Sequence, residues 1–513
     1  MNSVRRQKTI ARVPSERDVP QWVRMFGAPI VVVASLSLAL YSLAGRPLTH
    51  AAAAQQAVGA MMSCGQFVYR DIYSLDPPGV ALFSRLINLT LGSSSTSMWF
   101  LDGLSTTLSA LMVFFISRRF CASTLLAVIA GVSYPLLYYG VDHSVPALNT
   151  GWATTASLLA IYLVAARSNR AFTLRMLVSG FLTGAAITLD LFSLALVPLV
   201  IAVLYYQVKP NVFSRYLCFW VGSAFAPIVA IGVWVAANGA WGPMVGQLLG
   251  VLPARLSHFA PRGAPAVADY MGNGLIRVWL VGKLGWTLPG LFAFLAGIVA
   301  LCRSRYGMIS RLIALWMSLA LIGLLAQVEL KPAQWMQVFP AWCIVGAAGY
   351  ELMLRRSTIP FWRYLAGVLL VIGCLTGLAQ VREARVPVAQ EQDVYTILEP
   401  LALKVAQTTS PSDTVLMWDV ASQFYLLAGR PVAGGLVNSA AYLASDDSAR
   451  FFWKSFRARP PKIALVYRTG GVGLHRLAPE VENALDQELV AHYVLMDKVN
   501  EYEIFVRAGV DTQ

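Results

Sequence analysis

Long apolar runs separated by short polar connections dominate the pattern of this chain. A run of about 20 apolar residues is long enough to cross the ~30 Å hydrocarbon core of a bilayer as a helix. The pattern therefore predicts an α-helical multi-pass membrane protein with about eleven membrane-spanning helices, at 26–44, 97–117, 123–139, 148–166, 176–190, 191–206, 216–237, 286–302, 312–327, 336–354 and 364–378. The runs 176–190 and 191–206 are each short for a complete span.

Basic residues recur at alternate connections between these runs. They are Arg5, Arg6, Lys8, Arg12, Arg17, Arg24, Arg118, Arg119, Arg167, Arg170, Arg175, Lys209, Arg215, Arg303, Arg305, Arg311, Arg355, Arg356 and Arg363. Cytoplasmic loops carry the excess of Lys and Arg, so this placement predicts a cytoplasmic N-terminus and an exterior C-terminus. The net charge is +14, but no basic stripe with interleaved aromatic residues indicates a nucleic-acid partner.

This orientation divides the chain into a cytoplasmic tail at 1–25, a transmembrane domain at 26–380 and an exterior domain at 381–513. Two outward segments of the transmembrane domain, 46–95 and 238–283, are longer than simple turns. Hydrophobic residues make up 57% of the 513 residues, which excludes an ordinary soluble protein. Membrane lipids are therefore the expected surroundings of most of the chain.

The first outward segment contains two stretches that suit helices at the membrane interface. The alanine-rich stretch 50–64 is one, and 78–91 is the other, beginning at the Pro77-Pro78 pair because proline favours the first position of a helix. The C-terminal domain shows a different pattern, typical of a small α/β fold. It predicts helices at 393–408 and 479–489, buried strands at 414–418 and 463–466, and a terminal hairpin of 493–496 with 502–506.

The densest polar sequence beside the membrane lies between the two interfacial helices, at 65–79. It carries Tyr69, Arg70, Asp71 and Asp76 in a chain with only 13% charged residues. This is where a membrane enzyme would meet a substrate at the bilayer surface. Asp71 alternatively forms an ion pair that holds the loop, and Asp76 alternatively begins a turn or helix.

Other polar residues near the membrane also have two readings. Asp142 and His143 form an acid–imidazole pair that can bind a divalent metal or position an acceptor, although two ligands alone do not define a site. Lys331 can contact a phosphate, or it can extend to the interface and pair with Glu329. Two acids inside apolar runs, Asp102 and Asp190, are expected to face a cavity or a partner.

Small residues add two further features. Gly180 and Gly184 have the spacing that lets two membrane helices pack closely. The glycine-rich run 469–473 lacks the ending of a phosphate-binding loop and is predicted to be an ordinary loop. The six cysteines form no CxxC pattern.

Several short motifs occur in a recognisable order. They are Tyr-Arg-Asp at 69–71, Asp-Pro-Pro-Gly at 76–79, Glu-Leu-Lys-Pro-Ala-Gln-Trp at 329–335, Val-Leu-Met-Trp at 415–418 and Tyr-Leu-Leu-Ala-Gly-Arg at 425–430. With these motifs and this layout, nearly the whole chain resembles the GT-C superfamily of membrane glycosyltransferases. The likeness is to the bacterial branch related to protein O-mannosyltransferases and the aminoarabinose transferase of lipid A, glycosyltransferase family 39-like.

The resemblance implies an inverting glycosyltransferase of the bacterial cytoplasmic membrane, with a periplasmic C-terminal domain. Such an enzyme moves a sugar from a polyprenyl-phosphate carrier to a lipid, glycan or protein acceptor. The reaction needs a base for the proton of the acceptor and cations for the leaving phosphate. Asp71 or Asp76 is then the candidate base. The candidates for binding the substrate are Tyr69, Arg70, Asp142, His143, Arg255, Arg277 and Lys331.

The chain departs from that family at two positions. The family has a catalytic acid early in the first outward loop, whereas residues 46–51 contain no carboxylate. His50 can replace it as a base near neutral pH; alternatively Asp71 has taken over, or the activity is lost. The lysine that the family places before the two prolines is replaced by Asp76. A non-catalytic membrane protein that binds a lipid-linked glycan or a partner enzyme is therefore the alternative function.

Overall fold

Helices account for most of the described chain, in agreement with the apolar pattern. The computed structural model describes residues 21–43, 48, 50–120, 123–141, 148–166, 171–257, 290–302, 307–325, 336–356, 360–383, 388–418, 421–437, 446–468 and 479–509. Its first fourteen α-helices are α1 (Gln21–Leu43), α2 (His50–Ser63), α3 (Pro78–Thr90), α4 (Ser95–Phe120), α5 (Thr124–Val141), α6 (Leu148–Ala165), α7 (Phe172–Leu189), α8 (Val197–Gln207), α9 (Pro210–Ala237), α10 (Trp241–Ser257), α11 (Leu291–Cys302), α12 (Gly307–Leu325), α13 (Phe339–Glu351) and α14 (Pro360–Glu383).

Five stretches within the described helices are long and apolar enough to cross a membrane. They are Met25–Leu43, Ser95–Arg118, Phe172–Leu189, Pro210–Ala237 and Pro360–Glu383. Shorter apolar helices occupy Thr124–Gly140, Leu191–Gln207, Arg311–Ile322 and Phe339–Leu354. These helices support the membrane-protein class. The number of eleven spans stays a prediction, and so does the orientation of the chain, with its N-terminus in the cytoplasm.

The chain between α7 and α8 is interrupted at Asp190. This residue is extended, and its carboxylate accepts a hydrogen bond from the amide of Phe192, at 3.0 Å. A short 3₁₀-helix, Leu191–Leu196, follows before α8 begins. The acid therefore caps the break between the two short apolar runs.

Close backbone contact joins α7 to α9. A Cβ atom on Gly180 would lie 2.2 Å from the carbonyl oxygen of Trp220, and one on Gly184 would lie 2.0 Å from that of Ala224. Real Cβ atoms do not approach so closely, so only glycine fits at either position. The predicted role of this glycine pair in helix packing is confirmed.

The C-terminal part forms an α/β unit with a four-stranded sheet in the order β1-β2-β4-β3. Its elements are α15 (Val388–Thr408), β1 (Val415–Trp418), α16 (Gln423–Ala428), α17 (Asp446–Ala458), β2 (Ile463–Tyr467), α18 (Pro479–His492), β3 (Tyr493–Val499) and β4 (Tyr502–Arg507). Strands β1 and β2 are parallel, and β4 pairs antiparallel with both β2 and β3. The two buried strands and the terminal hairpin lie where the sequence predicts them. The exterior location of this unit stays a prediction.

Arg430, the last residue of the 425–430 motif, has a structural role. Its guanidinium donates hydrogen bonds to the carbonyl oxygens of Ala406 and Thr409, at 2.7 and 2.8 Å. These carbonyls belong to the C-terminal end of α15, where backbone acceptors lack helical partners and cations are favoured. Arg430 therefore caps this helix.

Helix α2 is enclosed between α3 and the C-terminal unit. Ala52, Ala53, Ala57 and Met61 are fully buried, and small side chains let neighbouring backbones approach closely. On the side of the C-terminal unit, Gln423 in α16 donates a hydrogen bond to the carbonyl oxygen of Leu48, at 3.0 Å. The first outward segment and the C-terminal unit thus share one packed interface.

Candidate functional site

The loop from α2 to α3 folds into a tight turn around Tyr69. The backbone of Tyr69 is left-handed, with φ of 68°, a conformation that costs free energy for a non-glycine residue. The turn is closed by hydrogen bonds from the amide of Tyr69 to the carbonyl of Ile72, at 2.6 Å, and from the amide of Asp71 to the carbonyl of Phe67, at 2.8 Å. Arg70 and Asp71 stand at its tip.

The side chain of Tyr69 lies inside the loop. It is fully buried, and its hydroxyl donates a hydrogen bond to the carbonyl oxygen of Asp76. Tyr69 therefore connects the tip of the turn to the Asp-Pro-Pro corner at which α3 begins.

Arg70 and Asp71 form an ion pair at the surface of the turn. The Oδ2 atom of Asp71 accepts hydrogen bonds from Nη2 and Nε of Arg70, at 2.7 and 3.1 Å, and from the amide of Phe67, at 2.8 Å. The hydrogen bonds that the described residues donate to this carboxylate all reach Oδ2. The side chain of Asp71 is 22% exposed.

Arg70 extends from the turn towards the end of α9. Its Nη1 donates to the carbonyl oxygen of Asn238, at 3.2 Å, and its guanidinium lies 5.9 Å from the centre of the Phe67 ring. The hydrogen bond with Asp71 raises the pKa of Arg70 further above its ordinary value. With 45% of its side chain exposed, Arg70 presents a permanent cation beside the carboxylate of Asp71.

Asp76 lies at the other end of the loop, against the bundle of apolar helices. Close packing fixes this corner, since a Cβ atom on Gly79 would lie 2.4 Å from the carbonyl oxygen of Thr188 in α7. Asp190 follows two residues after Thr188, and the charges of Asp76 and Asp190 are close enough to interact. Two carboxylates from distant parts of the sequence therefore lie in the same region, where the loop joins the bundle.

Asp190 is the centre of a buried polar cluster. Its Oδ2 accepts a hydrogen bond from Nε2 of Gln337, at 2.7 Å, and the same nitrogen lies 3.3 Å from Oγ of Ser193. The side chain of Thr150, at the start of α6, also lies near the carboxylate of Asp190. Sequence reasoning identified Asp190 as an acid in an apolar run, but it missed Gln337, which no motif distinguishes.

Replacing Gln337 by methionine tests this cluster. We expect the melting temperature of the purified protein to fall, because the buried carboxylate of Asp190 loses a donor, and an unsatisfied buried polar group costs about 1–3 kcal/mol. Thermal unfolding in detergent measures the change. Ser193→Ala is the matched control, since it removes only the longer contact; an equal fall in both variants would contradict a special role for Gln337.

Asp102 has partners on the neighbouring helix. It is fully buried in α4 and accepts hydrogen bonds from the hydroxyls of Tyr138 and Tyr139 in α5, the latter at 3.3 Å. The expectation that this acid faces a partner is therefore confirmed.

The structure brings together Tyr69, Arg70, Asp71 and Asp76, all in one loop. His50 is the first residue of α2 and Arg255 belongs to α10, but the described structure does not include their side chains. The remaining candidates, Asp142, His143, Arg277 and Lys331, lie outside the described residues. The described residues contain no group of three or more His, Cys, Asp or Glu that could hold a metal, and the metal role of Asp142 and His143 stays a prediction.

Comparison with solved structures shows which fold this is. The crystal structure of ArnT from Cupriavidus metallidurans bound to undecaprenyl phosphate matches with a TM-score of 0.60 and 12% sequence identity, over 95% of this chain and 98% of that chain. The apo structure of the same protein matches with a TM-score of 0.57 and 13% identity, over 94% and 97% of the two chains. The chain has the fold of ArnT.

The likeness to ArnT extends over nearly the whole length of both chains, so it includes the C-terminal unit as well as the apolar helices. The resemblance inferred from the short motifs is confirmed at the level of the fold. A scan of the sequence against family models finds no match, and a search of curated proteins finds no significant match. At 12% sequence identity, the similarity shows the fold but assigns no role to any residue of this chain.

Proposed function

We propose that this protein is an inverting glycosyltransferase that uses a sugar linked to polyprenyl phosphate. Its acceptor is a lipid, a glycan or a protein on the outer side of the bacterial cytoplasmic membrane. The observation that carries the proposal is the near-complete structural likeness to ArnT, whose crystal structure contains undecaprenyl phosphate. The apolar helices supply the membrane surroundings that such a carrier requires.

The loop at 65–79 has the groups that this reaction needs. A base removes the proton of the acceptor hydroxyl while that oxygen attacks the anomeric carbon on the face opposite the phosphate. The bond between the anomeric carbon and the phosphate oxygen breaks, and polyprenyl phosphate leaves with the electron pair. Cations near the phosphate stabilise the charge that develops on it.

Asp71 is our first candidate for the base. Its Oδ2 is held by Arg70 and by the amide of Phe67, which fixes the carboxylate, while Oδ1 is directed to no donor among the described residues. A general base must come within hydrogen-bond reach of the proton that it removes, and a fixed, partly exposed carboxylate oxygen meets that condition. Asp76 and His50 are the other candidates.

Arg70 is our first candidate for binding the phosphate. Its position next to the base would bring the leaving group and the acceptor hydroxyl to the same turn, and arginine can bind phosphate through two parallel hydrogen bonds. We propose Lys331 and Arg255 as further cations, Asp142 and His143 as residues that position the acceptor, and Tyr69 as the residue that supports the turn next to the substrate.

The alternative is a GT-C-type membrane protein that binds a lipid-linked glycan or a partner enzyme without catalysis. Two observations favour it: residues 46–51 contain no carboxylate, and Asp71 already forms an ion pair with Arg70. In this alternative, the carboxylate of Asp71 holds the loop and takes no proton.

Transfer from a panel of radiolabelled polyprenyl-phosphate sugars tests the proposal. We expect the purified protein in detergent to release or transfer sugar from at least one donor. A lower rate of transfer in His50→Ala or Asp76→Asn would identify that side chain as a contributor to catalysis. Binding of the carrier is measured in parallel, by the shift in melting temperature on adding undecaprenyl phosphate. Carrier binding without turnover on any donor would favour the non-catalytic alternative.

A further inference from the structure

Two buried glutamines hold the turn that carries Arg70 and Asp71. Gln66 has 4% of its surface exposed and Gln247 has 8%. Each uses both ends of its side-chain amide, so neither donor nor acceptor is left unsatisfied. A buried amide with both ends bonded fixes the groups that it joins, because breaking either bond would leave a buried polar atom without a partner.

Gln66 connects the turn to the C-terminal unit. Its Nε2 donates to the carbonyl oxygen of Val432, at 2.8 Å, and its Oε1 accepts from the amide of Val432, at 2.9 Å. The side chain thus satisfies both backbone groups of one residue, as a neighbouring strand would. The two residues are 366 positions apart in the sequence.

Val432 is itself part of a rigid element. It forms a parallel bridge with Val415 in β1, through hydrogen bonds from the amide of Ala433 to the carbonyl of Val415 and from the amide of Val415 to the carbonyl of Pro431, both at 2.9 Å. Gln66 is therefore anchored to the edge of the sheet and not to a free loop.

A second contact with the C-terminal unit follows the turn. The amide of Tyr73 donates to the carbonyl of Gly435, at 2.8 Å, and a Cβ atom on Gly435 would lie 2.6 Å from the carbonyl oxygen of Asp71. The φ of Gly435 is 71°, a backbone conformation that residues with a side chain rarely adopt. The backbone of Asp71 thus rests directly against this glycine.

Gln247, in α10, holds the turn through a second pair of hydrogen bonds. Its Nε2 donates to the carbonyl of Tyr69, at 2.8 Å, and its Oε1 accepts from the amide of Ser74, at 3.1 Å. It therefore bridges the two arms of the turn just below Arg70 and Asp71.

We infer that Gln66 and Gln247 are positioning residues for transfer, and that the C-terminal unit is a structural part of the active site through Gln66. This inference rests on the proposed function. Neither side chain has to touch the substrate, because each acts on the backbone of the turn. Displacement of a catalytic group by about 1 Å can cost on the order of 100-fold in rate, so loosening either anchor is expected to affect turnover.

The test replaces each glutamine by methionine, which keeps the length of the side chain and removes both hydrogen bonds. For Gln66→Met and for Gln247→Met we expect kcat to fall about 10- to 100-fold, with little change in KM for the donor. We also expect faster hydrogen exchange in the peptide that covers 66–76, with unchanged exchange in β2 and β4. Gln407→Met, at an exposed position of α15, is the matched control and is expected to change neither quantity.

The two readouts separate the inference from the proposed function. Faster exchange in the turn together with a lower kcat supports the inference. Unchanged exchange in the turn in both variants, or an unchanged kcat, overturns it. If the wild type transfers no sugar while both variants exchange faster in the turn, the proposed function is overturned, and the anchoring of the turn by the two glutamines is supported.

Discussion

Asp71→Asn is expected to lower the rate of sugar transfer about 10²- to 10⁴-fold, the range that a general base contributes. Asparagine retains an oxygen that can accept the hydrogen bond from the amide of Phe67, so the turn keeps its backbone cap. It loses the charge and the capacity to take a proton from the acceptor. Single-turnover kinetics measure the rate of transfer, and the thermal shift on adding undecaprenyl phosphate measures carrier binding. We expect the rate to fall and carrier binding to persist.

The matched control for this substitution is Asp447→Asn in α17. Asp447 also pairs with an arginine, Arg450, at 3.1 Å, but 71% of its side chain is exposed. The same chemical change there is expected to leave transfer unaltered, because exposed ion pairs contribute little. If Asp71→Asn retains more than half of the wild-type rate, Asp71 only holds the loop, and the role of the base passes to Asp76 or His50.

Gly184→Val is expected to have the largest effect on folding. Its Cβ atom would lie 2.0 Å from the carbonyl oxygen of Ala224 and 2.7 Å from Cγ of Pro227, so α7 and α9 would have to move apart. Overpacking of this kind costs about 3 kcal/mol. The expected result is a much lower yield of monodisperse protein and a lower melting temperature, measured by size-exclusion chromatography after heating in detergent.

Gly222→Val on α9 is the control for that experiment. No atom lies within 4 Å of a Cβ built on Gly222, so the same change in helix propensity occurs without a backbone clash. Equal melting temperatures for the two variants would show that the contact between α7 and α9 contributes nothing to stability.

Much of the fold could be predicted because its causes are local. The apolar runs give helices in lipid or in a packed bundle, since every backbone group is then satisfied within its own segment. Short runs such as Val415–Trp418 and Ile463–Tyr467 are too short for stable helices and are buried on both faces, so they form strands. The spacing of Gly180 and Gly184 likewise indicated a close helix contact before the partner helix was known.

The candidate site was predictable only in part. Asp71 lies next to Arg70 in the sequence, so an ion pair between them could be expected. The other expectation for Asp71 was a role as the base. The partners of Asp190 were not predictable, because Gln337 lies just before α13, 147 positions away in the sequence, and a single glutamine matches no motif. The same applies to Gln66 and Gln247, which are ordinary polar residues until the backbone groups that they bind are known.

By itself, the sequence determined the helical membrane class, the positions of most helices and strands, and the loop in which most of the described candidate residues lie. These follow from hydrophobic length, periodicity and proline or glycine positions within one segment. The tertiary structure decided that Gln337 binds Asp190, and that the C-terminal unit holds the turn through Gln66 and Gly435. Those features depend on hydrogen bonds and contacts between segments more than a hundred residues apart, for which no local pattern carries information.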